Sequence, residues 1–235
     1  MIAAPPSISA QVDHLVVAAA TLAEAVAWCV DTLGIVPGPG GEHPLMGTHN
    51  RLLGIASPRF PDAYLELIAI NSGAVCARPA GLKRWFDLDD GAMQKQLAQN
   101  GPRLIHFVAR TASASAGVQA LRRIGLDRGD VLKASRPTRN GLLNWQISVR
   151  GDGQRLFYGA LPTLIEWGNV QPGRTLPASG VVLESLDVAH PRADALRLAF
   201  EALGLTGVGV APGPPNIAAT LHTPRGVVML ESTGI

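Results

Sequence analysis

Two histidines stand inside apolar runs, His14 in QVDHLVVAAA and His106 in RLIHFVAR. An imidazole there can be a metal ligand, a general acid or base, or a core residue held by hydrogen bonds, and for a lone histidine the last is the commonest case. Other polar residues could line a cavity mouth: His49 and Asn50 in GTHN, and Asn144 and Trp145 in NW. Turn chemistry accounts equally well for Asn50, and core packing for Trp145. Arg136 and Arg139 in SRPTRN would suit a carboxylate or phosphate of a substrate, although a solvated face explains them too. His43 lies in the glycine-rich GGEHPLMG, a candidate lid. No nucleophile sits in a G-x-S-x-G elbow, and no dinucleotide or Walker motif follows a strand, which disfavours nucleophilic and nucleotide-dependent chemistry.

The elements that must position these groups repeat. After the His14 strand, Thr21 and Glu24 have capping-box spacing. Leu22, Val26, Cys29, Val30 and Leu33 share a helical face, and Gly34 stands where a helix ends. The His106 strand is followed by a helix with Val118, Leu121 and Ile124, ended by Gly125. In LESLDVAHPRADALRLAFEALG, Pro191 opens a helix with Leu196, Phe200 and Leu203 facing inward and Gly204 closing it. The distance from strand centre to closing glycine is 20 residues from His14 to Gly34, and 19 both from His106 to Gly125 and from Ser185 to Gly204. Equal units argue for internal duplication. Each continues into strand, turn and strand, so the module reads βαβββ: an α+β fold of repeated modules. Two occupy about 10–70 and 103–170, joined by a polar segment, 71–102, that is helix-compatible from about Asp90 to Asn100. The Pro- and Gly-rich NVQPGRTLPASG leads to a third, degenerate module over 180–235.

With 235 residues and 47% hydrophobic content the chain can bury a substantial core. Its 20 basic and 18 acidic residues are scattered, so nothing suggests nucleic acid or an anionic membrane, and a small molecule is the expected partner. No apolar run approaches the length of a membrane span and no signal peptide is recognisable, which predicts a cytoplasmic protein. Cys29 and Cys76 lack the spacing of a zinc or disulfide framework.

Paired βαβββ modules carrying DHLVVAAATLAEAVAWCVDTLGI, GTHNRLLGI, YLELIAI and LPTLIEW resemble the vicinal oxygen chelate superfamily, and more particularly its glyoxalase-like domain branch. The resemblance implies that two modules pair with their sheets curled around one cavity, with metal ligands projecting from first and last strands. Carried over by position, these are His14 and His106, with Glu66 and Glu166. Strand alternation sets His14 with Val12 and Val16, His106 with Leu104 and Val108, Glu66 with Tyr64 and Ile68, and Glu166 with Leu164, so that all four could face one cavity. Four such groups buried without compensation would be costly, and a divalent cation would relieve that cost. Zn, Ni, Fe or Mn all suit the set. Iron-using relatives need only three protein ligands, which leaves Glu66 as a possible base instead.

The implied function is a metal-dependent enzyme on a small oxygenated molecule. Adjacent oxygens would chelate the metal, and Glu66 or Glu166 would move a proton in lyase or isomerase chemistry through an enolate. The alternatives are an Fe(II) extradiol-type dioxygenase and a metal-free binding protein of the bleomycin-resistance type. In the third module Ser185 stands at the place of His14, His190 and His222 fall out of register, and Glu231 lacks a partner histidine, so no second metal is expected there. An odd module should pack outside the first two or meet its twin, and the expectation is a homodimer.

Overall fold

The computed structural model describes residues 8–138 and 141–234; Arg139 lies outside them. The first module is strand β1 (Gln11–Ala18), helix α1 (Leu22–Leu33) and strands β2 (Glu42–His43), β3 (Thr48–Gly54) and β4 (Tyr64–Ile70). Helix α2 (Gly91–Asn100) precedes the second module, which is β5 (Arg103–Arg110), α3 (Ala114–Arg123), β6 (Asp130–Thr138), β7 (Gly141–Val149) and β8 (Thr163–Trp167). The chain continues with β9 (Val182–Ala189), α4 (Ala193–Leu203), β10 (Val208–Ala211), β11 (Asn216–Thr223) and β12 (Gly226–Glu231).

Local chemistry sets these boundaries. Thr21 accepts from Glu24 N while Glu24 reaches back to Thr21 N, both at 3.2 Å, so the donors that open α1 are satisfied. Ala25, Cys29 and Leu33, spaced by four, are its buried stripe. Gly34 then ends the helix at φ 75°, a left-handed geometry that costs glycine little.

The first two modules form one curled, eight-stranded mixed sheet in the order β2-β3-β4-β1-β5-β8-β7-β6. Within each, the first strand runs parallel to the last, β1 with β4 and β5 with β8, and the two first strands meet antiparallel at the centre. The curl brings its ends together. Arg136 of β6 lies where a Cβ on Gly41 would be, and the rings of His43 and Trp145 are 6.2 Å apart in a T-shaped contact.

The third unit has the same element order but different pairing, β10-β9-β11-β12. Strand β9 has no twin first strand beside it. The antiparallel edge that β1 and β5 give to each other is taken in β9 by its own β11, and β10 lies parallel on the other edge, where β1 has β4. Buried residues of this unit, among them Leu186, Leu196, Phe200, Leu203 and Ile217, join one apolar cluster with Leu15, Cys29, Phe107, Leu121 and Leu164 on the helix-covered side of the large sheet. A second cluster fills the inside of the curl, where Met93 and Leu97 of α2 meet Val16, Ile68, Trp85, Val108, Trp145, Ile147 and Ile165. Among the described residues no helix is long and apolar enough to cross a membrane.

Candidate functional site

A β-bulge shapes the centre of the inner surface. Val12 pairs with Ala109 and His14 with Val108, so Asp13 is an extra residue on β1. Neighbours on a regular strand point to opposite faces, whereas a bulge re-aims them. Here it brings Asp13 Oδ1 to 2.8 Å from His14 Nδ1. The other Asp13 oxygen accepts from Trp167 Nε1 at 3.0 Å and Gln171 Nε2 at 3.1 Å. With its carboxylate so held, Asp13 accepts a hydrogen bond from Nδ1–H and leaves His14 Nε2 facing the interior, 3.6 Å from Glu66 Oε2. The imidazole stacks on Tyr64 with ring centroids 4.6 Å apart.

Glu66 is fixed in turn, since Asn50 Nδ2 donates to its Oε1 at 2.6 Å. Asn50 Oδ1 accepts from Gly41 N at 2.8 Å, and its amide lies 3.4 Å from His43 Nε2. His43 Nδ1 is 3.1 Å from Thr48 Oγ1 across the short β2–β3 pairing. Burial, reinforced by the charge of Arg136, lowers the His43 pKa to about 3, so this imidazole is neutral. Burial also raises the Tyr64 phenol well above its ordinary range, and the nearby Asp13 and Glu66 add to that shift.

These groups line a cavity with about 30 Å³ of free space, closed by Trp85, Phe86, Trp145 and Trp167. That is room for roughly one water-sized group. Among the described residues, Trp85 Nε1 and Arg136 Nη1 are buried without a hydrogen-bond partner, and both residues line this cavity.

His106 occupies the equivalent place in the second module, next to an equivalent bulge. Val16 pairs with His106 and Val17 with Leu104, so Ile105 is the extra residue. The bulged residue before the histidine is therefore aspartate in one module and isoleucine in the other. His106 Nδ1 donates to Gly159 O at 2.8 Å, and Thr163 N donates to Nε2 at 3.1 Å. Both ring nitrogens are thus engaged. The guanidinium of fully buried Arg128 also lies 3.4 Å from Nε2. Burial first, and then the charges of Arg128 and Arg155, hold the His106 pKa well below the histidine range. It is a neutral core residue.

The four expected ligands do not converge. Glu166 shares a face with Leu164 as alternation requires, but that face packs on α3. There Glu166 accepts from Ala114 N, the first residue of the helix, at 2.9 Å and from Gln146 Nε2 at 2.8 Å. The opposite face of β8, with Ile165 and Trp167, lines the interior. Glu166 therefore completes a helix N-terminus. Of the other candidates, Asn50 and Trp145 point inward, His49 lies over α1 in a surface groove with Leu22 and Val26, and Asn144 is exposed. Asp13, Tyr64 and Trp167 take part in the site although sequence alone does not single them out, and His43 lines the cavity rather than a lid. The usable signals were the adjacent Asp-His pair and EHPLMGTHN read as a tight hairpin, which places His43 opposite Thr48.

Among the described residues no group of three or more His, Cys, Asp and Glu side chains is arranged to hold a metal ion. With the His106 lone pair occupied and Glu166 on the far face, His14 Nε2 and Glu66 Oε2 are what remain of the set. That is fewer than the three protein ligands of a catalytic zinc or non-haem iron site, so the implied metal does not fit the residues present.

Comparisons with known proteins agree with the architecture. A family model described as a glyoxalase-like domain matches residues 12–204. Among solved structures, a hypothetical protein from Staphylococcus aureus superposes with a TM-score of 0.56 at 14% identity, covering 94% of this chain and 85% of that one, a likeness of fold. Methylmalonyl-CoA epimerase from Streptomyces coelicolor gives 0.41 at 20% identity over 70% of this chain and 99% of that one. The Mycobacterium tuberculosis epimerase gives 0.38 at 20% identity over 71% and 92%. No curated protein sequence matches. The chain belongs to the glyoxalase-like domain family.

Proposed function

We propose that this protein is an enzyme that takes a small carbonyl compound into the curled sheet and moves a proton at His14 Nε2. The observation that carries this reading is the Asp13–His14–Glu66 chain, in which one ring nitrogen is anchored at 2.8 Å and the other faces a carboxylate at 3.6 Å across the cavity. An imidazole oriented by a carboxylate suits general base catalysis, and Glu66 is placed to accept or return the same proton. In the proposed step His14 Nε2 takes the proton from a carbon next to the carbonyl. The C–H electron pair forms the carbon–carbon double bond, and the carbonyl pair moves to oxygen. Return of a proton to the carbon completes an isomerisation, and loss of a leaving group completes an elimination.

The test is solvent exchange. Aldehydes, ketones and 2-oxo acids incubated in D2O with the wild-type protein should gain deuterium at the carbon next to the carbonyl, read by mass spectrometry. A panel that gains none above buffer would contradict an enzyme of this type. The second reading, a metal-free binding protein, is favoured by the aromatic walls of Trp85, Trp145 and Trp167. It predicts saturable quenching of tryptophan fluorescence without exchange.

For assembly we propose a homodimer, supported by Val182, Val227 and Met229, which remain exposed on the second sheet. Sedimentation at micromolar concentration should give twice the chain mass, and a monomer would contradict it.

A further inference from the structure

The inner cavity shares part of its wall with a larger one. About 530 Å³ in volume, the outer cavity is lined by Val36, Leu53, Leu142, Val170 and Leu176 among other mainly apolar groups. That size is within the range of small-molecule sites. Leu52, Arg136, Leu143 and Pro172 border both spaces and mark the neck at which the two would join.

Arg136 is the one cation of the outer lining among the described residues, and no ion pair to it is formed among them. Its Nη1 is buried without a partner, while Gly41, lacking a Cβ, leaves the guanidinium room to approach. A guanidinium with a spare desolvated donor is matched by a planar oxyanion, and leaving it unmatched is costly. A second spare donor, Trp85 Nε1, lies on the wall of the inner space. Apolar walls bounded by a single cation suit one negative charge better than two.

From this geometry we infer the substrate class: an amphipathic monocarboxylic acid whose carboxylate is received by Arg136 at the neck and whose apolar body lies in the outer cavity. The inner cavity then admits only the reacting oxygenated end. This inference rests on the proposed small-molecule site at His14 and assigns its specificity to Arg136, a binding residue outside the ligand set implied by the superfamily resemblance.

The test uses probes that bind without turnover: octanoate, 1-octanol and octyl phosphate, titrated by calorimetry and tryptophan fluorescence. Octanoate should bind the wild-type protein about ten-fold or more tighter than 1-octanol, as expected for a charge-assisted pair formed out of water. In Arg136→Leu that preference should fall to about unity, in Arg136→Lys part of it should survive, and Leu142→Glu should weaken both probes. Circular dichroism on each variant checks folding, and the lysine variant decides if the leucine variant does not fold. Equal binding of octanoate and octanol, an unchanged preference in the folded variants, tighter binding of octyl phosphate, or no saturable binding of octanoate would each overturn the inference. Because these are equilibrium measurements, they stand or fall apart from the deuterium exchange that tests proton transfer.

Discussion

Thr163 holds in the second module the place that Glu66 holds in the first. Val16, two residues after His14, pairs with Glu66, and Val108, two residues after His106, pairs with Thr163. Each of these last-strand residues faces the Nε2 of its module's histidine, at 3.6 Å for Glu66 and 2.9 Å for Thr163 Oγ1. One module thus puts a carboxylate where the other puts a hydroxyl, and Asp13 where the other puts Ile105. His14 is left with chemical capacity and His106 with a structural role.

Removing the hydroxyl tests that structural role. Thr163→Val strips fully buried Arg128 of one of its acceptors, with Pro162 O still accepting from Nε at 2.9 Å. The expected loss is about 1–3 kcal/mol of unfolding free energy, the usual cost of an orphaned buried donor, measured by urea denaturation. Wild-type stability would contradict it.

Glu166→Ala should behave as the loss of a helix-terminus acceptor. Ala114 N and Gln146 Nε2 lose their partner, so stability should fall by about 1 kcal/mol by urea denaturation. No change in stability would leave the contact without energetic weight.

Stability should fall as the pH is lowered from 7 to 5. His43 and His106 are held neutral in the folded protein, His43 with a pKa of about 3, whereas in the unfolded chain both titrate at the ordinary histidine value of about 6.5. Below about pH 6.5 the unfolded state therefore binds protons that the folded state does not. The stability contribution is complete above that pH and is lost as pH falls toward the folded values, by up to about 1.4 kcal/mol per pH unit for each histidine. His43→Asn should show a shallower decline in urea denaturation, and equal slopes would remove His43 from the account.

Adding Zn, Ni, Fe(II) or Mn should leave the thermal midpoint unchanged. A tightly held ion present at a hundred times its Kd would add about 2.7 kcal/mol. A clear upward shift, lost in His14→Gln, would show that the two remaining donors recruit a metal after all.

Much of the fold was legible because local signals agreed with burial. The Thr21–Glu24 capping box, Gly34 and Gly204 in left-handed geometry, and the Leu196, Phe200 and Leu203 stripe stand where spacing placed them. Helix α2 begins one residue after Asp90, which caps it by accepting from Met93 N. The site was less legible because β8 is buried on both sides, with Leu164 and Ile165 at 0% and 2% exposure. Alternation there gives two faces without saying which is the interior, so Glu166 could be assigned to a parity and not to a cavity. A bulge has no composition of its own, and for that reason the meeting of Asp13 with His14 was hidden in a stretch that reads as regular strand.

The most direct measurement compares His14 with Glu166, two members of the ligand set that the superfamily resemblance implied. Deuterium exchange into the carbonyl panel should be measured for wild type, His14→Gln and Glu166→Gln, each shown to be folded by circular dichroism. His14→Gln should lose exchange by about a hundred-fold or more, the usual scale for removing a general base. Glu166→Gln, which keeps an acceptor for Ala114 N, should stay within about two-fold of wild type, since ~0.4 kcal/mol or less of barrier should change. Undiminished exchange in His14→Gln, or its loss in Glu166→Gln, would contradict the assignment of the chemistry to Asp13, His14 and Glu66.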